Sequence, residues 1–135
     1  MSQENVETFK RVTEAYTRRD VEAMLVDLDP EIEWHPGLLA SLGGEATVYR
    51  GHQGIRELVR DLDEHFSEFN NEYSEIRDPG DHVLAIGHIR ARGEASGAET
   101  VSPLAFLVES KDGKAIRVRT YLDPKKALET AGLSE

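Results

Sequence analysis

The 135-residue chain contains no cysteine, so it has no disulfide framework and no thiolate to act as nucleophile or metal ligand. No apolar run approaches the roughly 20 residues that cross a bilayer as a helix, which argues against a helical membrane span. Basic residues are in deficit: 16 Lys and Arg against 26 Asp and Glu give a formal net charge of -10. That balance repels phosphate backbones and anionic lipid surfaces, so neither nucleic acid nor membrane is an expected partner. The segment MSQENVETFKRV lacks the basic and apolar blocks of a signal peptide, and a cytoplasmic location is the expectation. Five histidines, His35, His52, His65, His82 and His88, show no His-x-His or His-Glu-x-x-His spacing. A phosphate loop, a Ser-His-Asp order and a dinucleotide fingerprint are also missing. Cofactor-free chemistry or simple binding is what the composition leaves.

The length suits one domain, residues 1–135, able to bury a core of its own. Its centre is the stretch from His82 to Leu122, which reads as three strands, HVLAIGHIRAR, TVSPLAFLVES and KAIRVRTYL. Asp112-Gly113 is a two-residue hairpin signal between the last two. Asp78-Pro79-Gly80-Asp81 has the residues of a type II turn, so a strand over Glu72 to Ile76 pairs ahead of them. Pro103 cannot donate to a ladder, and a bulge or an unpaired position is expected there.

Helices supply the cover for this sheet. Val6, Phe9, Val12 and Tyr16 form one stripe of a first helix, with Ser2 as its cap, and Asp20 caps a short second one that stops at Asp29-Pro30. A short strand from Glu31 to His35 follows. Ile55, Leu58, Val59, Leu62 and Phe66 mark a third helix at i, i+3, i+4, i+7, i+11 spacing. Between strand and helix, Gly37 to Gly51 has no periodicity but carries Leu38, Leu39, Leu42, Val48 and Tyr49, and reads either as a flap or as a plug packed on the sheet. Asp123 and Pro124 begin a terminal helix that Gly132 ends. Helices gathered on one face of a bent antiparallel sheet make an α+β cone.

Several motifs carry a family resemblance over nearly the whole chain. Tyr49-Arg50-Gly51-His52-Gln53-Gly54-Ile55-Arg56, Ser96-Gly97, Asp112-Gly113-Lys114 and Tyr121-Leu122-Asp123, followed by Ala127-Leu128 and Ala131-Gly132-Leu133, together resemble the SnoaL-like branch of the NTF2-like superfamily. The resemblance implies a cone with a strongly bent antiparallel sheet, helices on its concave face, a pocket between them, and a homodimer joined through the outer sheet face. It spans polyketide cyclases, ketosteroid isomerases and limonene-type epoxide hydrolases, so the activity must come from particular residues.

The position that holds the isomerase base is His35 here, followed by Pro36, and an imidazole accepts a proton at neutral pH without desolvation. The isomerase enolate donors are replaced by Val12 and Ala105, and Tyr16, one turn on, is the alternative phenol. At the hydrolase positions stand His88, Arg90 and Thr120. Strand alternation puts Leu84, Ile86, His88, Arg90 and Arg92 on one face and Val83, Ala85, Gly87, Ile89 and Ala91 on the other, and either set could face inward. The resemblance favours His88 inward, with Arg90 towards the mouth. His35, His88 and Arg90 are then the catalytic candidates. Tyr16, Trp34, Tyr49, Phe66, Phe106, Val118, Thr120 and Leu122 are the candidates for contact with a substrate, Trp34 as a core or rim aromatic. Three functions follow: a cofactor-independent cyclase, isomerase or hydrolase acting on a small apolar molecule, a non-catalytic module that binds a small hydrophobic metabolite, or a dimeric accessory protein whose outer sheet face recruits a partner.

Overall fold

The first helix begins at the chain's second residue, and its apolar stripe decides where it lies. The computed structural model describes residues 2–36, 48–77, 82–123, 125 and 129. Helix α1 (Ser2–Arg18) buries Phe9, Val12, Ala15 and Tyr16. Thr13 on the same side is buried too, and its hydroxyl donates back to the Phe9 carbonyl at 3.0 Å. Arg19 adopts a positive φ of 60° and breaks the helix. The next residue starts another, because the Asp20 carboxylate accepts the Ala23 N–H at 3.2 Å and caps α2 (Val21–Val26).

Strand β1 (Leu28–His35) starts three residues earlier than the sequence suggests and runs through Pro30. The ring is tolerated because the register against the neighbouring strand shifts between Leu28 and Glu33, so Pro30 lies where the ladder is irregular. A two-residue strand β2 (Tyr49–Arg50) pairs with Trp34 and Glu33, which gives the end of the flap segment a sheet position. The rest of that segment, residues 37–47, lies outside the described residues.

Helix α3 (Gly51–His65) buries Ile55, Leu58, Val59 and Leu62, as its spacing predicts. Phe66 departs from the expectation. It is extended, at φ -133° and ψ 129°, and opens β3 (Phe66–Arg77) rather than closing the helix. Asn70 and Asn71, which precede the strand expected over Glu72 to Ile76, sit inside β3 opposite Arg90 and Ile89 of β4 (His82–Gly93). A long partner ladder outweighs the poor strand propensity of Asn.

Strands β4, β5 (Glu99–Lys111) and β6 (Lys114–Tyr121) complete an antiparallel meander with β3, and β1 joins β6 in parallel. The sheet order is β2-β1-β6-β5-β4-β3. Asp112 and Gly113, at φ 53° and 80°, make the tight β5–β6 hairpin, as positive φ at both positions requires. Pro103 pairs with His88 without a bulge; the ladder to β6 begins only at Ala105, so Pro103 faces no β6 residue. The expected turn at Asp78–Asp81 lies outside the described residues, as does most of the terminal helix. Asp123 does accept the Lys125 N–H at 3.1 Å, consistent with its role as a cap. No described helix is long and apolar enough to cross a membrane.

Pairing fixes the two faces. Val83, Ala85, Ile89, Ala91, Leu104, Phe106, Val108 and Val118 join α1 and α3 in the main core. Leu84, Ala105 and Leu107 form a second, smaller apolar cluster on the other side of the sheet, with Ile86 and Tyr121 against it.

Candidate functional site

Inside the cone the space is taken by aromatic rings. Tyr16 packs on Trp34 at 4.9 Å and on Phe69 at 5.2 Å; Phe9 meets Tyr73 at 5.3 Å and Phe106 at 6.1 Å; Trp34 and Phe106 lie 6.2 Å apart. Several of these are edge-on contacts, the arrangement that ring quadrupoles prefer. Only about 10 Å³ remains between Phe9, Trp34, Phe106 and Val118, room for one water at most. Two polar atoms are sealed into this interior without a hydrogen-bond partner among the described residues, the indole Nε1 of Trp34 and the hydroxyl of Thr120. Burial drives the Tyr16 phenol well above its ordinary pKa, so it stays protonated.

A larger space opens beside this core, between α1 and β3. It is a groove of about 430 Å³, walled by Lys10, Glu14, Thr17 and Arg18 and based on Thr13, Asn71, Tyr73 and Ile76. Thr13 also borders the small interior gap, and the Tyr73 ring touches both Phe9 and Phe106, so the groove abuts the aromatic core. Its base has a polar feature. Both ends of the Asn71 amide, Nδ2 and Oδ1, and the Tyr73 hydroxyl are buried without a well-formed hydrogen bond among the described residues. Burial raises the Tyr73 pKa, while the nearby Thr13 and Asn71 side chains pull it the other way. Such groups are costly to leave unmade, about 1–3 kcal/mol each, and they favour any ligand that pairs with them.

The outer sheet face holds the ionic groups. Across β2, β1, β6, β5 and β4 runs a row of Arg50, Glu33, Arg117, Glu109 and His82: Arg50 to Glu33 is 3.1 Å, Arg117 to Glu33 3.5 Å, Arg117 to Glu109 2.9 Å and His82 to Glu109 3.6 Å. His35 joins it, with Nε2 3.4 Å from Glu33 and its side chain 35% exposed. The hydrogen bond from His35, helped by Arg50 and Arg117, holds the Glu33 carboxyl below its ordinary pKa.

The structure therefore divides the residues singled out from the sequence. Tyr16, Trp34, Phe66, Phe106 and Val118 are core residues and Thr120 points inward with them, whereas Leu122 packs at the core's edge. Tyr49 is buried and its hydroxyl donates to Asp61 at 2.5 Å, a structural tie from β2 to α3. His88 and Arg90 do not face the core as expected. They are exposed on the outer face, Arg90 bonded to Glu99 at 3.3 Å, because the alternate set of β4 is entirely apolar and takes the inward positions. His35 is outward as well, opposite Arg119, while its neighbour Trp34 is inward opposite Val118. His35 and His88 stand three strands apart and, since His35 is level with Leu84, four residues apart along the strand direction, on the order of 20 Å at ordinary strand spacing. One small molecule does not bridge that distance. The groove residues Asn71 and Thr13 were not singled out; a strand alternating Phe69, Asn71 and Tyr73 would have grouped two of the groove's polar groups on one face.

A family model described as a SnoaL-like domain matches residues 9–118. No curated protein matches the chain in sequence. Among solved structures, an NTF2-like protein of unknown function from Burkholderia pseudomallei is 21% identical with a TM-score of 0.79, covering 93% of this chain and 95% of that one. TerC, co-crystallised with polyporic acid, is 22% identical with a TM-score of 0.78 over 96% of this chain and 98% of that one. A protein with a ketosteroid isomerase-like fold from Catenulispora acidiphila, in complex with trimethylamine, is 15% identical with a TM-score of 0.75, covering 95% and 94%. At these identities the likeness is one of fold.

Proposed function

The chain belongs to the SnoaL-like domain family, and from that premise we propose that it is a non-catalytic binding domain for a small, largely apolar molecule seated between α1 and β3. The observation that carries this reading is the base of the groove, where the Asn71 amide and the Tyr73 hydroxyl lack a well-formed hydrogen bond among the described residues and the Tyr73 ring packs on Phe9 and Phe106. An apolar wall with a few convergent polar groups is the usual make-up of a ligand site, and about 430 Å³ is within the usual size. The separation of His35 from His88 speaks against acid-base chemistry shared between them. Two structural neighbours were solved with small molecules, polyporic acid on TerC and trimethylamine on the Catenulispora protein, which agrees with a binding role for this fold. Screening small aromatic compounds by thermal shift tests the proposal: a ligand raises the melting temperature and is recovered chemically unaltered. A recovered product in place of the ligand would refute it.

A second reading has one observation in its favour. Glu33 lies against His35 and orients its imidazole, as a general base requires, which suits a cofactor-independent cyclase, isomerase or hydrolase working at the outer face. His35→Ala abolishes turnover under that reading and leaves ligand binding in the groove untouched under the first. The resemblance adds to the binding reading a homodimer joined through the outer sheet face, which would cover the site of the second reading; a monomeric mass in sedimentation equilibrium would overturn the dimer.

A further inference from the structure

Asn71 is unusual because neither half of its side chain, a donor and an acceptor, makes a well-formed hydrogen bond among the described residues, although the Tyr73 hydroxyl lies nearby. A ligand with a single acceptor would satisfy only Nδ2, and one with a single donor only Oδ1. Building on the binding reading above, we propose that the groove selects planar molecules carrying a carbonyl and an adjacent N–H on one edge, a lactam or cyclic imide. Such an edge pairs with a carboxamide reciprocally: the ligand carbonyl accepts from Nδ2–H and the ligand N–H donates to Oδ1. The second lone pair of the same carbonyl is left for the hydroxyl of Tyr73, which lines the groove together with Asn71.

The surroundings fit a flat ring. Tyr73 lines the groove with Asn71 and is backed by the Phe9 and Phe106 rings, so a ligand edge held by the amide brings its π-system towards the Tyr73 ring. Ile76 supplies an apolar contact at the other end. Lys10, Glu14 and Arg18, which also line the groove, are exposed, so their long side chains can change rotamer to admit a ligand. Asn71 itself is fixed by the β3 ladder opposite Ile89, so the recognition edge is held by a strand rather than a loop.

Three probes of one outline test the inference on the full chain: 2-quinolinone, with the complete edge; quinoline, with an acceptor alone; and naphthalene, with neither. Titrations followed by ¹H–¹⁵N NMR read affinity and location together. We expect 2-quinolinone to bind at least about tenfold tighter than quinoline, because an unmet buried partner discriminates strongly. It should move the Asn71 side-chain amide resonances and the backbone signals of Thr13 and Tyr73. In Asn71→Leu the preference should vanish, with 2-quinolinone and quinoline binding equally. The same variant tests the premise without ligand, since replacing an unpaired buried amide by an apolar group leaves the melting temperature unchanged or raises it. A lower melting temperature, or failure to fold, would show the amide already satisfied within the protein and overturn the inference. Equal affinity of all three probes at the groove refutes the lactam preference and leaves the groove as a binding site. Failure of every probe to perturb the groove overturns both.

Discussion

Replacing Gly87 by alanine should be among the most damaging single-methyl additions this chain can suffer. Gly87 lies on the inner face of β4, opposite Tyr73 of β3 and Leu104 of β5, where the β3 register shifts between Tyr73 and Glu75. The displaced backbone crosses directly over it: a Cβ at Gly87 would lie 1.9 Å from the Glu72 carbonyl oxygen and 2.8 Å from the Tyr73 Cα. These are backbone atoms, so no rotamer change relieves the contact, and β3 must retreat by more than about 1 Å to reach ordinary van der Waals separation. Overpacking a well-filled interior costs about 1–3 kcal/mol, and a clash against two ladders belongs at the upper end. For a domain of this size, about 3 kcal/mol lowers the melting temperature by roughly 10 °C and removes a large part of a total stability of about 5–15 kcal/mol. Urea titration followed by circular dichroism gives the free energy, and calorimetry gives the melting temperature. Gly97→Ala is the control, because Gly97 has a positive φ of 68° but nothing within 4 Å of its added carbon; it should cost only the left-handed backbone penalty, about 1 kcal/mol. If Gly87→Ala costs no more than Gly97→Ala, the close crossing of β3 over β4 is wrong. Because Asn71 and Tyr73 sit on the strand that would retreat, the same variant should also weaken binding in the groove.

Phe106→Ala should destabilise by about 3–5 kcal/mol, since Phe106 touches the rings of Phe9, Tyr16, Trp34 and Tyr73; a loss below about 1 kcal/mol in urea titration would contradict the filled interior. Arg117→Met removes the central cation of the outer row, but the pairs are partly solvated, so about 1 kcal/mol or less is expected and high salt should shrink the effect. Alkali should unfold the domain through Tyr16, Tyr49 and Tyr73, whose pKa values are all raised above 10.0 chiefly by burial. A raised folded-state pKa gives stability that is fully present below the unfolded value and lost as pH climbs towards the folded one. Denaturation midpoints should therefore hold to about pH 10 and fall above it, with tyrosinate absorbance appearing together with unfolding. Ionisation of all three without loss of structure would refute their burial.

The chain order of the elements was legible in the sequence because it rests on local rules. The α3 stripe, the Asp20 cap and the Asp112-Gly113 hairpin each follow from a spacing or a backbone preference within a few residues. The SnoaL-like motifs likewise pointed to the family that the chain belongs to. What local rules did not settle was the face of each strand. In β4 the wholly apolar set Val83, Ala85, Gly87, Ile89 and Ala91 was the better candidate for burial, since His88, Arg90 and Arg92 are expensive to bury unpaired. Taking the catalytic positions from the resemblance pointed the other way. The helix-to-strand change at Phe66 was hidden because its place in the helical stripe continued unbroken, and only the ladder with β4 pulls residues 66–71 into a strand. That ladder puts Asn71 and Tyr73 against α1, residues some 60 positions away in sequence. Sequence fixes elements through neighbours within one or two turns; a binding groove between a helix and a strand exists only once long-range pairing has chosen a register, and a shift of one residue would turn Asn71 to solvent.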